Sequence, residues 1–260
     1  PEFQRLRNIK QLGACEYVFP GATHNRFSHS LGVYYLSSKL IKNLKINQPE
    51  LNISEDDIEC IEIAGLCHDL GHGPFSHCFD NHCINELKGD LKYHEYRSCK
   101  ILELISKKYN ININLEKIYK MIIPKDTKNF LYNIVCNNIS GIDVDKFDYI
   151  ARDTYFTGLD YSFDCRRILK NCKVIDNELC FSNKLAFNIY ELFRIRYRLH
   201  KEIYNHSVVS SIEFMISDYL KQLNIKLDNM EEFCKLDDTI INNTEIIKRI
   251  YSRKLYKLKS

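Results

Sequence analysis

The stretch Ile63-Ala-Gly-Leu-Cys-His68-Asp69-Leu-Gly-His72-Gly-Pro-Phe-Ser-His77 decides how this chain is read. Four side chains able to bind a metal or move a proton (His68, Asp69, His72 and His77) fall within ten residues. They follow an apolar run, Ile58 to Leu66, that reads as a buried helix. Gly71, Gly73 and Pro74 then stop that helix beside the His-Asp doublet. An imidazole and a carboxylate at the end of a rigid buried element can share one cation. Imidazole nitrogen suits iron, zinc, manganese or nickel, and carboxylate oxygen suits most divalent metals. A single His-Asp pair is more simply a satisfied core histidine beside a capping aspartate. A cluster of this density is not, because such side chains are rarely buried without a role.

A mononuclear site needs more than two protein ligands. Upstream, Pro20-Gly-Ala-Thr-His24-Asn-Arg26-Phe-Ser-His29-Ser-Leu-Gly32 reads as a turn entering a helix that carries Leu31, Tyr34, Tyr35 and Leu40. Arg26 and His29 stand at i, i+3 and share a face. A guanidinium one turn from a candidate ligand suits an anionic substrate. Downstream, Asp145, Tyr149 and Asp153 fall at i, i+4, i+8 with Lys146 adjacent, and Arg196, His200 and Tyr204 repeat the spacing. Either stripe alone fits a solvated helix surface. Two matching stripes predict the walls of a pocket for a polyanion.

The chain has 260 residues, a net charge of +3 and 45% hydrophobic residues, enough for one large domain with a substantial core. The charge is too small to predict nonspecific nucleic-acid affinity. No secretory signal, lipidation motif or membrane-spanning apolar run is visible, and a cytoplasmic or nuclear location is expected. The eleven cysteines are scattered, odd in number and form no Cys-x-x-Cys pair, so they read as reduced, mostly buried thiols. Helical periodicity recurs at 30–43, 57–70, 93–108, 186–206, 208–223 and 244–257. A hairpin is predicted around Asp176-Asn177, and residues 109–129 read as a variable connection around a short helix.

His29, then His68-Asp69, then Asp145 is the H…HD…D pattern of the HD-domain metallophosphohydrolases. The segments QLGACEYVFPGATHNRFSHSLGV (11–33), IAGLCHDLGHGPFSH (63–77) and GIDVDKFDYIARD (141–153) resemble the deoxynucleoside triphosphate triphosphohydrolases. They resemble in particular the eukaryotic enzymes that join a sterile-alpha-motif domain to an HD domain. The resemblance runs from Phe3 to about Lys257 and is weakest over 105–130. It implies a mainly α, HD-domain helical fold with a minor β-hairpin, and a catalytic core over 1–260. That core would lack N-terminal residues and the family's C-terminal lobe.

The activity so implied is metal-dependent hydrolysis of dNTPs at the α-phosphorus to deoxynucleoside and inorganic triphosphate, controlling dNTP pools. His29, His68, Asp69 and Asp145 would ligate a divalent transition metal (Fe, Mn, Zn or Ni). His77 matches the family's general acid and His72 a second histidine near the phosphates. Asp80 and His94, followed by Glu95, match a pair that orients water, with room for a second metal such as Mg. Arg26 would meet the α-phosphate, and Lys146, Tyr149 and Arg196 the outer phosphates. Gln11, Leu12 and Asp153 would surround the sugar, with Tyr149 excluding a 2′-hydroxyl. His200 and Tyr204 would lie near the base or phosphates. Gln4, Arg7, Val18, Phe19, Arg167, Lys184, Asn188, His206, Arg253 and Lys257 match sites for GTP or dNTP activators between subunits of a homo-oligomer, a dimer or tetramer. Glu202 and Ser207 depart from basic residues there, which weakens attraction for a polyphosphate.

Two other functions compete. One is an HD phosphohydrolase acting on another nucleotide phosphoester, such as a monophosphate or cyclic dinucleotide. The retained Lys146, Tyr149 and Arg196 argue against it, since small substrates need no outer-phosphate grip. The other is a nucleic-acid-binding regulatory module. Lys248 to Lys257 mixes basic and aromatic residues as weak single-strand binders do, and it also fits a solvated helix end.

Overall fold

The computed structural model describes residues 1–84, 89–125 and 128–257. Asn25 starts the first long helix, α1 (Arg26–Asn47), by accepting from the Ser28 amide at 3.0 Å, one of the donors a helix start leaves unpaired. One face of α1 buries Val33, Leu40, Ile41 and Leu44. Against it packs α2 (Glu55–Cys67), opened by a capping box in which Ser54 and Asp57 exchange side-chain and backbone hydrogen bonds. Periodicity predicts this helix over 57–70, but it ends at Cys67, immediately before His68. The doublet therefore stands on the turn that leaves the helix.

The helix α3 (His94–Tyr109) and the short helix α4 (Leu115–Ile122) follow. The latter is the short helix expected inside 109–129, a connection of which residues 126–127 lie outside the described residues. Next, α5 (Val144–Thr157) is capped by Asp143, which accepts from the Lys146 amide, and it crosses α1. After α6 (Arg166–Lys170) come β1 (Cys172–Ile175) and β2 (Glu178–Phe181), paired antiparallel with Cys172 opposite Phe181. Asp176 and Asn177 both have positive φ, the backbone of the two-residue turn that matches strand twist. The predicted hairpin is present.

The expected helix over 186–206 is in two parts. α7 (Ala186–Leu199) gives way to a wide π-helical turn at His200–Tyr204. A second π-helical turn, Phe79–Cys83, carries Asp80. Such turns re-aim side chains relative to a regular helix. α8 (Ser207–Gln222), α9 (Met230–Phe233) and α10 (Glu245–Tyr251) complete the chain. The last is shorter than the predicted 244–257. Leu31, Tyr34 and Tyr35 of α1 face outward. All eleven cysteines are free thiols, as expected of reduced residues. Among the described residues, no helix is long and apolar enough to cross a membrane.

Candidate functional site

His29 comes from the first turn of α1, His68 and Asp69 from the end of α2, and Asp145 from the first turn of α5. Their donor atoms converge. His29 Nε2 lies 3.0 Å from Asp145 Oδ1 and 3.5 Å from Asp69 Oδ2. His68 Nε2 lies 3.5 Å from both Asp145 Oδ1 and Asp69 Oδ1. Bonds of about 2.1 Å to one cation place neighbouring donors about 3.0–3.5 Å apart. The buried Nε2 of His68 has no hydrogen-bond partner of its own. Two imidazole nitrogens, that of His68 without a hydrogen-bond partner, and two carboxylates fit a divalent metal.

The charges agree with that fit. Burial disfavours the imidazolium of His29, but hydrogen bonds with Asp145 and Asp148 outweigh it and raise the pKa to about 10. Burial likewise opposes ionisation of Asp69 and Asp145. Arg26 and His68 hold Asp69 well below the usual carboxylate range, and His29 and His68 do the same for Asp145. Concentrated negative charge in a pocket that is poorly solvated is what a cation neutralises.

A second cluster adjoins the first: His72, His77, Asp80 and His94 bring one donor atom each within 4.8 Å of one another. His72 is fully buried, has Nε2 3.3 Å from Asp69 Oδ1, and stacks on His94 with ring centroids 3.9 Å apart. His94 Nδ1 meets Asp80 Oδ2 at 2.9 Å, and its Nε2 lies 3.6 Å from Glu95. Burial lowers the His94 pKa, but the Asp80 bond outweighs it and the net shift is upward. The His77 ring reaches solvent, yet desolvation by the protein around it, followed by the charges of Arg26 and His94, shifts its pKa downward, to about 4. A cleft of about 280 Å³ opens on this cluster, lined by His77, Asp80, Asn81, Lys92, Tyr93, His94 and Glu95. A larger cavity of about 760 Å³ lies among Leu91, Tyr96, Tyr119, Tyr132 and Met230. It is more apolar and contains neither histidine cluster.

The polar stripes do face each other. Arg196 Nε donates to the Tyr149 hydroxyl at 3.0 Å, and the Tyr204 hydroxyl donates to Asp153 Oδ2 at 2.6 Å. His200 packs edge-on against Tyr204. The wide turn at 200–204 shifts Tyr204 from strict helical spacing while leaving it in reach of Asp153. Gln11 is buried with an unpartnered Oε1, and Leu12 is half-buried beside it. Arg26 donates to Asp69 (2.7 Å), Ser76 Oγ (3.0 Å) and the Gln11 carbonyl (3.1 Å), leaving two of a guanidinium's five N–H groups. Lys146 is paired with Asp143 at 2.7 Å, so a phosphate would compete for it.

The residues expected to bind an activator form separate small groups. Arg7 donates to Gln4 and lies over the Phe27 ring, and Phe19 packs edge-on against His206 beside half-buried Val18. Arg167, Lys184, Arg253 and Lys257 are exposed, and Asn188 is half-buried on α7.

Several contributors escaped the sequence reading. Arg97 is fully buried and donates to Asp80, Gly71 O and Leu91 O. Its i, i+3 spacing from His94 was an available signal. Arg5 donates to the carbonyls of Leu70, His72 and Leu236, each at 2.8 Å. His24 Nε2 lies 2.7 Å from Asp153. Nothing local in the sequence marks these last two.

A helical fold whose α1, α2 and α5 deliver an H…HD…D donor set defines a class, and residues 26–153 match the family model of the HD domain. The chain belongs to the HD-domain family, which implies a divalent metal. It is 42% identical over 284 residues to the Dictyostelium discoideum protein named deoxynucleoside triphosphate triphosphohydrolase SAMHD1 homolog, covering 98% of this chain and 55% of that one. To the Homo sapiens and Danio rerio proteins named deoxynucleoside triphosphate triphosphohydrolase SAMHD1 it is 40% and 36% identical. Those alignments each cover 99% of this chain and 51% of the relative. The chain thus spans about half the length of the curated relatives it matches.

Proposed function

We propose that this protein hydrolyses deoxynucleoside 5′-triphosphates at the α-phosphorus, releasing a deoxynucleoside and inorganic triphosphate. The observation that carries the reading is the facing pair of stripes: Arg196 donates to Tyr149 and Tyr204 donates to Asp153, both acceptors lying on the same helix that brings Asp145 to His29 and His68. The names of the relatives support the same activity. A bound transition metal (Fe, Mn, Zn or Ni) would polarise the α-phosphoryl group and lower the pKa of water.

The chain's own residues supply the rest. Arg26, fixed by Asp69, Ser76 and Gln11, presents its remaining N–H groups to the α-phosphate. Arg196, fixed through Tyr149, meets the outer phosphates. Lys146 exchanges Asp143 for phosphate as substrate enters. Gln11 Oε1 and Asp153 accept from the sugar hydroxyl, and Tyr149 closes the space a 2′-hydroxyl would need. Asp80 holds His94 by Nδ1, so that its ring is oriented for water or for a second cation such as Mg. In the free protein the His77 pKa is shifted downward, by desolvation and by Arg26 and His94. The negative charge of an arriving triphosphate offsets Arg26 and His94 and raises it. His77 is then able to protonate the leaving 5′-oxygen.

Activation by GTP or dNTP across a homo-oligomer interface, and a cytoplasmic or nuclear site of action, belong to the same reading. Mass measurement with and without nucleotide, with Arg167→Glu as control, tests assembly. The central test is incubation with each dNTP and NTP, with products resolved. Inorganic triphosphate from dNTPs in preference to NTPs is the expected result, abolished together with bound metal in Asp145→Ala. Equal kcat/KM for dATP and ATP refutes the sugar assignment, and release of pyrophosphate or orthophosphate refutes the reaction.

A further inference from the structure

We infer that Asp148, gripped by Arg152 and admitted by Gly32, is the positioning residue that aims His29 at the metal site. The inference rests on the reading of His29, His68, Asp69 and Asp145 as metal ligands and needs no particular substrate. A metal takes an imidazole through one unprotonated nitrogen, so the other nitrogen must carry the hydrogen. In His29 that other nitrogen, Nδ1, lies 2.8 Å from Asp148 Oδ2, while Nε2 faces Asp145 and Asp69. A carboxylate accepting at Nδ1 selects the tautomer that leaves Nε2 free, fixes the ring plane and makes the ligand more basic. His68 is oriented differently, its Nδ1 donating to the Gly65 backbone carbonyl at 2.9 Å. Only His29 of the two has a charged acceptor behind it.

Asp148 is itself immobilised. Arg152, one turn further along α5, donates from Nε to Oδ2 and from Nη2 to Oδ1, both at 2.8 Å. This fork lies where α5 crosses α1, and the crossing has room for it because residue 32 has no side chain. A Cβ on Gly32 would stand 1.8 Å from Asp148 Oδ1 and 2.6 Å from Arg152 Nη2. Gly32 is three residues after His29 and on the same helix face. Its φ is ordinary, so space and not backbone conformation requires the glycine. Helix propensity argues the other way, since alanine is the better helix former.

The test is the zinc affinity of the folded 260-residue protein, measured by chelator competition with zinc as the only metal, for Asp148→Ala, Asp148→Asn and Gly32→Ala. Asp148→Ala and Gly32→Ala are expected to bind zinc about 10- to 100-fold more weakly than the wild type. Asp148→Asn keeps the shape and an acceptor oxygen, and falls between. Nitrogen-15 spectra of the zinc-loaded protein are expected to show a strongly hydrogen-bonded Nδ1–H on His29 in the wild type and the loss of that hydrogen bond in Asp148→Ala. Wild-type zinc affinity in a folded Asp148→Ala or Asp148→Asn protein overturns the inference. Wild-type affinity in Gly32→Ala overturns the role of the glycine. Failure of the wild type to hydrolyse any dNTP would remove the substrate reading alone and leave the zinc result to decide this one.

Discussion

Replacing Arg97 with Met tests whether the second histidine cluster is held in place by a buried cation. The guanidinium is fully buried, and its three contacts go to three different segments: Asp80 in the π-helical turn, Gly71 in the loop between the clusters, and Leu91 before α3. Methionine keeps the length and the apolar packing. It leaves a buried carboxylate without its cation and the Gly71 and Leu91 carbonyls, each accepting at 2.7 Å, without that donor. Removing one partner of a buried pair costs about 3–5 kcal/mol. For a chain of this size that lowers Tm by roughly 6–20 °C. Differential scanning calorimetry of Arg97→Met, Asp80→Asn and the double variant measures it. The double variant is expected to lose less than the sum of the singles, because each single change strands the other partner. Release of triphosphate from dNTPs is expected to fall in all three, since Asp80 also holds His94. A Tm within about 2 °C of wild type in Arg97→Met, or strict additivity, would refute the reasoning.

Glu213 is held up to about 7 by burial. The folded protein therefore keeps that proton to a higher pH than the unfolded chain. The resulting stability is full below about pH 4.5 and lost as pH rises through 7, so wild type minus Glu213→Gln in unfolding free energy drops by about 3 kcal/mol between pH 4.5 and 8. A pH-independent difference in urea denaturation contradicts this. Tyr204→Phe removes the hydroxyl 2.6 Å from Asp153 and is expected to cost about 1.5–3 kcal/mol of stability, read by the same denaturation. Ser54→Ala breaks the α2 capping box and is expected to cost about 1 kcal/mol while leaving zinc affinity and dNTP turnover unchanged. A change in either would mean that the start of α2 is coupled to its far end.

The sequence by itself determined most of the elements and pointed to a candidate ligand set. Apolar periodicity placed α1, α2, α3 and α8, Asp176-Asn177 placed the hairpin, and the resemblance to the HD-domain phosphohydrolases named His29, His68, Asp69 and Asp145 as candidate ligands. These are local signals: helix faces, turn dihedrals and motif spacing are written in neighbouring residues. What only the tertiary structure decided is the set of partners that hold those groups. Arg97 under Asp80, Arg5 under the carbonyls of Leu70 and His72, and His24 beside Asp153 join positions up to 129 residues apart. Their burial is tolerable only because each finds its counter-charge or carbonyl. The break in the long helix at His200 was also missed, because a π-helical turn of five residues is too short to stand out in a periodicity read over the whole segment. Gly32 shows the division most plainly. Read along α1 it is a weak helix former, and only the crossing of α5 gives it a reason, since a charged pair fills the space its side chain would take.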